Sequence, residues 1–416
     1  MEAKYQWLNS LLTNNKNEFA QFPEIKWLNP YMTDDHVGRR NNLLNEIDET
    51  PLFKSTKPFL NHISKGCRIC GEGKWSCLFI TNKCNANCFY CPAPQKHDEP
   101  PSTQGLEFTN PYDYADYINH FGFEGVSFSG GEPLLYFDRT LEYLKVLRRE
   151  CRPDLYIWMY TNGILADKEK LTALAKENLN EIRFDIGATG FSLEKVRIAK
   201  GIIPVVTIEI PSVPEEKERI IAMLPQMRDA GVTNLNLHHL RLTHHNVTQL
   251  IKRDYTITSA ERPLVAESEI AALEIIHQAQ QSGLEIGINY CSFHYKNRFQ
   301  KAGYRQIITR TIMPEAAITE NGYIREYHRD AIAYKHVKLF PKSPEHNSDR
   351  NILINGKKYA YEVLTILSEE HLTADYQKQI EELINTEPGT PPEDLLLFRI
   401  WQCEYIESIF FLPLED

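Results

Sequence analysis

The sequence predicts an α/β fold built on a parallel sheet, either open or closed into a barrel. From Trp75 onward, short apolar segments alternate with longer segments that have the periodicity of amphipathic helices. This alternation favours parallel strands joined by right-handed crossovers. The segments predicted as strands are Trp75–Thr81, Gly125–Ser129, Leu155–Thr161, Glu181–Ile186, Pro204–Ile210, Thr233–Leu240 and Leu284–Tyr290. The helical patterns between them lie near Pro111–Phe121, Asp138–Glu150, Asp167–Asn178, Leu193–Lys200, Glu215–Ala230 and Ala266–Gln281.

The regions on either side of this repeat differ from it. The first 66 residues begin with a helical pattern and continue as a loop-like stretch rich in Asn, Asp and Pro. Past Tyr304 the alternation stops, and the Asn-Gly pairs at 321–322 and 355–356 favour β-hairpins. A further helical pattern begins at Ser368. The sequence therefore predicts three parts: a helical N-terminal segment (1–66), a central α/β domain (67–300) and a C-terminal α+β cap (301–416).

The composition is that of a soluble globular protein. The 416 residues are 25% charged and 42% hydrophobic, enough for two or three domains with a large core. The formal net charge is −10 and no Lys/Arg run exceeds two residues, so a nucleic-acid partner is not expected. No apolar stretch approaches the roughly 20 residues that span a bilayer. The N-terminal residues lack the pattern of a signal peptide, and we expect a cytoplasmic protein without membrane contact.

Cysteines are crowded into one part of the chain. Six of the nine lie between positions 67 and 91. In a reducing compartment, such crowding is more typical of metal binding than of disulfide bonds. Three of the six, Cys84, Cys88 and Cys91, form a C-x3-C-x2-C motif on the loop after the first predicted strand. Three thiolates on one loop can bind three irons of a 4Fe–4S cluster and leave the fourth open, as in a reactive centre.

A zinc ribbon is the main alternative for these cysteines. The pair Cys67 and Cys70, a gap of 17 residues, and the pair Cys88 and Cys91 match zinc-ribbon spacing. That interpretation leaves Cys84 unused and places an apolar strand between the two pairs. It would make the chain a zinc-binding protein without catalysis.

Two turns follow the second and third predicted strands. Glycines in such turns let the backbone approach a ligand closely, and carbonyls or a carboxylate there can receive the ammonium group of a bound amino acid. Each turn alone is an ordinary βα connection. Together they lie at the carboxyl ends of successive strands, where barrel enzymes place their sites. The residues concerned are Ser129, Gly130, Gly131, Glu132 and Pro133 in the first turn, and Thr161, Asn162 and Gly163 in the second.

These motifs resemble those of the radical S-adenosylmethionine (SAM) superfamily, with Tyr90 as the aromatic residue before the third cysteine. The resemblance covers about residues 67–300. It implies a partial (β/α)6 TIM-like barrel that binds a 4Fe–4S cluster through the three cysteines and SAM through the two turns. The run Gly66–Thr81 also resembles a poorly characterised branch related to pyruvate formate-lyase activating enzymes, from which no substrate follows.

The resemblance also implies an activity. A family member cleaves SAM reductively to methionine and a 5′-deoxyadenosyl radical. The radical abstracts hydrogen from a peptide, a protein or a small molecule. The electron comes from a donor such as flavodoxin or ferredoxin.

Three predicted strands have one polar face, which is unusual because buried parallel strands are apolar on both faces. The polar residues at alternating positions are Glu181, Arg183 and Asp185, then Thr207 and Glu209, then Asn234, Asn236 and His238. The apolar faces should pack on the outer helices, so the polar faces should point into a central cavity.

The resemblance suggests roles for four of these side chains. Arg183 and Asp185 are expected to reach the carboxylate and ribose of SAM, and Glu209 its methionyl or adenosyl part. His238 is expected to border the substrate. The alternative for Arg183 is a structural ion pair with a carboxylate.

A second metal centre is predicted from cysteines that the three-cysteine motif does not use. Cys67 and Cys70 precede the first strand, and Cys291 follows the seventh, so a barrel could bring them together. By analogy with the superfamily, they would bind an auxiliary 4Fe–4S cluster. Zinc, with His294 as the fourth ligand, and three unpaired thiols are the alternatives.

Overall fold

The centre of the protein is a curved sheet of seven parallel strands that follow one another in chain order. The computed structural model describes residues 2–29, 34–48, 51–258, 261–341, 350–385 and 391–406. The seven strands, β1 to β7, are Trp75–Thr81, Gly125–Gly130, Tyr156–Thr161, Glu181–Phe184, Val205–Pro211, Asn234–His238 and Gly287–Cys291. The helices between them are Pro111–Phe121, Phe137–Glu150, Lys168–Lys176, Glu194–Ala199, Lys217–Asp229 and Ala266–Gln281.

The barrel formed by these strands is incomplete. Each strand pairs in parallel with the next, but β1 and β7 do not pair with each other. Antiparallel two-residue strands cover the two edges: Phe59–Leu60 beside β7, and Ser102–Thr103 beside β1. The α/β class and the partial barrel are therefore confirmed. The seventh parallel strand goes beyond the six that the resemblance implied.

The helix Pro111–Phe121 has local sequence signals at both of its ends. The side chain of Asn110 accepts a hydrogen bond from the first turn, and Pro111 occupies a position where its missing N–H costs nothing. Gly122 ends the helix with a φ of +66°. Tyr114 and Ile118 lie one turn apart and are fully buried against the sheet.

The strands bury their apolar faces under these helices, as predicted. Ile182 and Phe184 of β4, Ile208 of β5 and Leu235 of β6 are almost inaccessible to solvent. They belong to one continuous core that includes the inner faces of the helices. The polar residues at the alternate positions of these strands consequently point into the barrel.

A short helix at Lys65–Gly71, which we call the plug helix, closes the amino end of the barrel. Ser64 caps it by accepting a hydrogen bond from the backbone N–H of Cys67. A Cβ at Gly66 would touch the side chains of Glu181 and Arg183 on β4. Ile69 packs with aromatic residues of β1 and β3. Access to the inside of the barrel through its amino end is therefore blocked.

The C-terminal region contains a four-stranded antiparallel sheet, whose strands are Ile324–His328 (β8), Ala331–Pro341 (β9), Asn351–Ile354 (β10) and Lys357–Glu370 (β11). Their order in the sheet is β8-β9-β11-β10. The Asn-Gly pair at 355–356 forms the hairpin turn between β10 and β11, as predicted. The pair at 321–322 lies in a short turn closed by a bridge between Ile318 and Ile324.

The helix predicted from Ser368 begins later. Strand β11 pairs with β9 as far as Glu370, and the helix begins at Ala374. The remaining longer helices are Glu2–Glu18, Asp34–Glu46, Lys301–Ile312, Ala374–Asn385 and Leu395–Glu404. Among the described helices, none combines the length and apolar character needed to cross a membrane.

Candidate active site

A cavity of about 480 Å³ opens at the carboxyl ends of the barrel strands. This volume is in the range of small-molecule sites. It is lined by residues from the loop after β1, from the ends of β2 to β6 and from the segment after β7. Of the residues predicted from sequence, the cavity gathers Cys84, Cys88, Tyr90, Cys91, Ser129, Gly130, Gly131, Asn162, Arg183, Asp185, Glu209 and His238. Glu132 and Pro133 are buried behind its wall, and Cys67, Cys70 and Cys291 do not line it.

The loop with Cys84, Cys88 and Cys91 is fastened to its surroundings by hydrogen bonds. The backbone N–H of Cys84 donates to the carbonyl of Gln95, whose side-chain amide donates to the carbonyl of Gly130 at 2.9 Å. The Asn162 amide lies 3.5 Å from the Cys84 sulfur. Burial raises the pKa of Cys88 to about 12, and Asp185 adds to the shift. A bound cation must therefore supply the charge that ionises this thiol.

The donor set fits an iron–sulfur cluster. Among the described residues, no group of three His, Cys, Asp or Glu side chains is arranged to hold a metal ion. A cubane has a different requirement, because each thiolate binds a different iron. The present site meets that requirement, because its three thiols lie on one short loop and line one cavity. Polar groups for a second ligand line the same cavity.

Glu132 ties together the two turns that carry the glycines. Its carboxylate accepts hydrogen bonds from the Thr161 hydroxyl at 2.8 Å and from the backbone N–H groups of Asn162 and Leu134, at 2.7 and 3.0 Å. Burial raises its pKa to about 7 despite these bonds. The carboxylate thus holds adjacent strand ends in place, whereas the sequence suggested that it receives a ligand ammonium group.

Gly131 is required by the protein backbone itself. A Cβ at this position would overlap the carbonyl group of Lys83, the residue before Cys84. The Gly131 N–H donates to the Thr81 carbonyl, and the Glu132 N–H donates to the Lys83 carbonyl. The sequence predicted that the backbone at Gly131 approaches a ligand closely. In the structure this backbone also packs closely against the cysteine loop. Gly130 has a φ of +104°, which favours glycine.

Tyr90 orients Asp185 at the cavity wall. The Tyr90 hydroxyl lies 2.8 and 3.0 Å from the two Asp185 carboxylate oxygens, and the Gly187 N–H donates to one of them at 3.0 Å. Burial raises the pKa of Asp185 to about 6. Each carboxylate oxygen can accept two hydrogen bonds. The Asp185 oxygen that is not bonded to the Gly187 N–H can therefore accept a further hydrogen bond from a ligand hydroxyl.

Arg183 is held in an ion-pair network. Its guanidinium lies 2.8 Å from Glu209 and also pairs with Glu181, and all three side chains are buried. Burial opposes the charge of Glu209, but Arg183 and His238 hold its pKa below the usual range. Arg183 still lines the cavity. The structural ion pair that stood as the alternative for Arg183 is therefore present, and it positions Glu209.

Comparison with known proteins identifies the domain. A model of the Radical SAM superfamily matches residues 78–248, which span β1 to β6 apart from the first three residues of β1. The chain carries a radical SAM domain. The family uses a 4Fe–4S cluster and SAM, and the cysteine loop and cavity described above fall within or beside the matched region.

Relatives of this radical SAM domain differ in how much of the chain they share. A protein of Methanocaldococcus jannaschii, assigned as a glycyl-radical enzyme activating enzyme, is 28% identical over 277 residues, 63% of this chain and 72% of the relative. It agrees with the resemblance to activating enzymes. The GTP 3′,8-cyclase of Desulforamulus reducens is 27% identical over 109 residues, 26% of this chain and 33% of the cyclase. The chain therefore spans only about a third of that cyclase.

Solved structures with similarity to this chain are more distant. Streptococcus suis SuiB bound to S-adenosylmethionine is 13% identical with a TM-score of 0.38, over 76% of this chain and 65% of SuiB. The radical SAM methyltransferase TsrM of Kitasatospora setae is 15% identical with a TM-score of 0.33, over 58% of this chain and 53% of TsrM.

Two cationic residues of the radical SAM cavity were not singled out from the sequence. Arg241 follows β6, and Lys296 lies one helical turn after β7. The Lys296 ammonium is 2.8 Å from Nδ1 of His238, whose Nε2 contacts Glu209. Both cations follow strand ends, so the rule that located the glycine turns could have located them.

The three remaining predicted ligands meet beneath the radical SAM cavity around Lys57, which is inaccessible to solvent. The Lys57 ammonium lies 2.7 Å from the Cys291 sulfur. Asn236 donates to the Cys67 sulfur at 3.3 Å, and Gln300 to the Cys70 sulfur at 2.9 Å. These contacts argue against a zinc ribbon, which would need Cys67 and Cys70 beside Cys88 and Cys91. The second metal centre stays a prediction.

Metal analysis tests that second centre. In a variant with Cys84, Cys88 and Cys91 all replaced by Ala, anaerobic reconstitution should leave about four irons per chain if Cys67, Cys70 and Cys291 bind a cubane. Replacing Cys291 by Ala in addition should remove this iron. Zinc in place of iron would support the structural alternative, and a metal-free protein would eliminate the site.

Proposed function

We propose that this chain cleaves SAM reductively and uses the resulting radical to abstract hydrogen from a peptide, protein or small-molecule substrate. The observation that carries this proposal is the single cavity in which the cysteine loop faces the glycine turns and the polar ends of β4 to β6. A bound cluster and SAM would supply methionine and a 5′-deoxyadenosyl radical. The protein groups named below hold and orient these ligands.

The cysteine loop, the glycine turns and Asp185 each have a task in this proposal. Cys84, Cys88 and Cys91 hold the cluster. Gly130, Gly131 and Asn162 line the same cavity and receive the amino acid part of SAM. Asp185, oriented by Tyr90, accepts a hydrogen bond from a ribose hydroxyl.

Glu209 supplies a fixed negative charge. Because Arg183 and His238 keep it ionised, it can stabilise the positive sulfonium of SAM within the barrel. His238 donates its Nε2 proton to Glu209 and turns Nδ1 toward Lys296. This arrangement leaves the imidazole neutral and places it at the border between the SAM groups and the cationic part of the cavity.

The position of the cysteine loop suits electron delivery. Pro92 and Ala93, directly after the third cysteine, are exposed to solvent. A flavodoxin or ferredoxin docked on this surface would lie close to the cluster. The M. jannaschii relative supports a peptide or protein as substrate, since an activating enzyme acts on a protein.

An assay of the wild-type protein tests the proposal. Purified and reconstituted without oxygen, it should be brown, and with dithionite it should convert SAM to equal amounts of methionine and 5′-deoxyadenosine. Reduced flavodoxin should replace dithionite. A colourless protein that binds zinc and forms no 5′-deoxyadenosine would refute the proposal.

A further inference from the structure

Two cations of the cavity wall have no role in the proposed chemistry. The guanidinium carbon of Arg241 lies 5.4 Å from the centre of the Phe293 ring, and the Lys296 ammonium lies 4.9 Å from the same centre. All three side chains line the cavity. One aromatic ring therefore holds two positive charges beside the space that SAM is proposed to occupy.

Neither charge is balanced by the residues that the structure describes. Neither cation forms an ion pair with a described carboxylate. The carboxylate that reaches toward Lys296 is Glu209, which is already engaged by Arg183 and His238. Burial lowers the pKa of Arg241 and that of Lys296, because it penalises an unpaired cation. An anion between them would remove that penalty.

The donors of the two side chains are also available. Nε2 of His238 donates to the ionised Glu209, so Nδ1 is the acceptor and takes one of the three Lys296 N–H groups. Described residues accept no other hydrogen bond from Lys296, and none from the guanidinium of Arg241. An arginine fork matches two oxygens of a carboxylate or phosphate, and a lysine adds a point charge.

We propose that Lys296 and Arg241 form an oxyanion subsite, and that the substrate binds there through a carboxylate or a phosphate group. This inference rests on the proposed function, because the substrate must share the cavity with SAM. The Phe293 ring contacts the carbon atoms next to the anionic group. The anchored substrate then extends toward His238 and the SAM-binding groups.

Calorimetry on the cluster-containing protein with bound SAM, without reductant, tests the subsite. Inorganic phosphate and malonate serve as probes, and the one that binds identifies a phosphate or a carboxylate substrate. Lys296→Met and Arg241→Gln should each weaken binding of that probe by about tenfold or more. Lys301→Met removes an exposed lysine at the start of the next helix and should leave the affinity unchanged.

Three results would overturn the subsite. The wild type could bind neither probe, or both variants could bind the probe as well as the wild type does. Alternatively, both variants could lose SAM affinity or iron along with the probe, which would assign the two cations to SAM or to the cluster. Each of these results leaves the proposed function intact, since that is decided separately by SAM cleavage in the wild type.

Discussion

Replacing Cys84, Cys88 and Cys91 together by Ala is expected to abolish reductive SAM cleavage and to remove the iron held by this loop. The three thiols line one cavity and lie on one short loop. Each substitution therefore removes a cluster ligand that no other side chain of the loop can replace. Formation of 5′-deoxyadenosine with dithionite, measured by chromatography, should fall to the level of a reaction without enzyme.

Cys151→Ala provides a matched control. Cys151 is also a free cysteine, but it is buried at the end of the helix Phe137–Glu150, away from the cavity, and contacts the carbonyl of Ala115. Its replacement should leave iron content and SAM cleavage at the wild-type level. Wild-type 5′-deoxyadenosine formation by the triple variant would show that the cluster has been assigned to the wrong residues.

Gly131→Ala is expected to reduce both iron content and SAM affinity. The added methyl group would overlap the backbone of Lys83, and neither backbone segment can give way without moving the cysteine loop. We expect SAM affinity to fall by about tenfold or more, with a parallel loss of iron measured after reconstitution. If Gly131 served only a close approach to SAM, the affinity would fall while the iron stayed constant.

Gly38→Ala is the corresponding control. Gly38 lies in the helix Asp34–Glu46, and a Cβ there meets no atom within 4 Å. This substitution should leave iron content and SAM affinity close to those of the wild type, and should raise helix stability by about 0.5–1 kcal/mol. A Gly131→Ala protein that matches the control in iron and SAM binding would contradict the proposed packing of the glycine turn on the cysteine loop.

The elements that could be predicted from sequence are those with a local signal. Asn110 and Gly122 bracket a helix whose bounds agree with the prediction, and the alternation of Ile182 and Phe184 with Arg183 gave the correct inner face of β4. The cysteine loop and the glycine turns could be placed together because parallel strands bring their carboxyl ends to one side.

The remaining features depend on contacts between distant segments. No local pattern indicates that Glu132 accepts hydrogen bonds from the end of β3 instead of facing a ligand. Lys57 lies in a stretch that looks like a solvated loop, yet it is buried against Cys291, more than 200 residues away. Arg183 shows the same limit, because its strand face was predictable but its pairing with Glu209 from the next strand was not.

The plug helix affects how SAM consumption is coupled to product formation. Since Lys65–Gly71 shuts the amino end of the barrel, solvent and substrate reach the reacting atoms by the same carboxyl-end mouth. A bound substrate is then itself the barrier that keeps water out of the site. The yield of product for each SAM consumed should therefore depend on how completely the substrate fills that mouth.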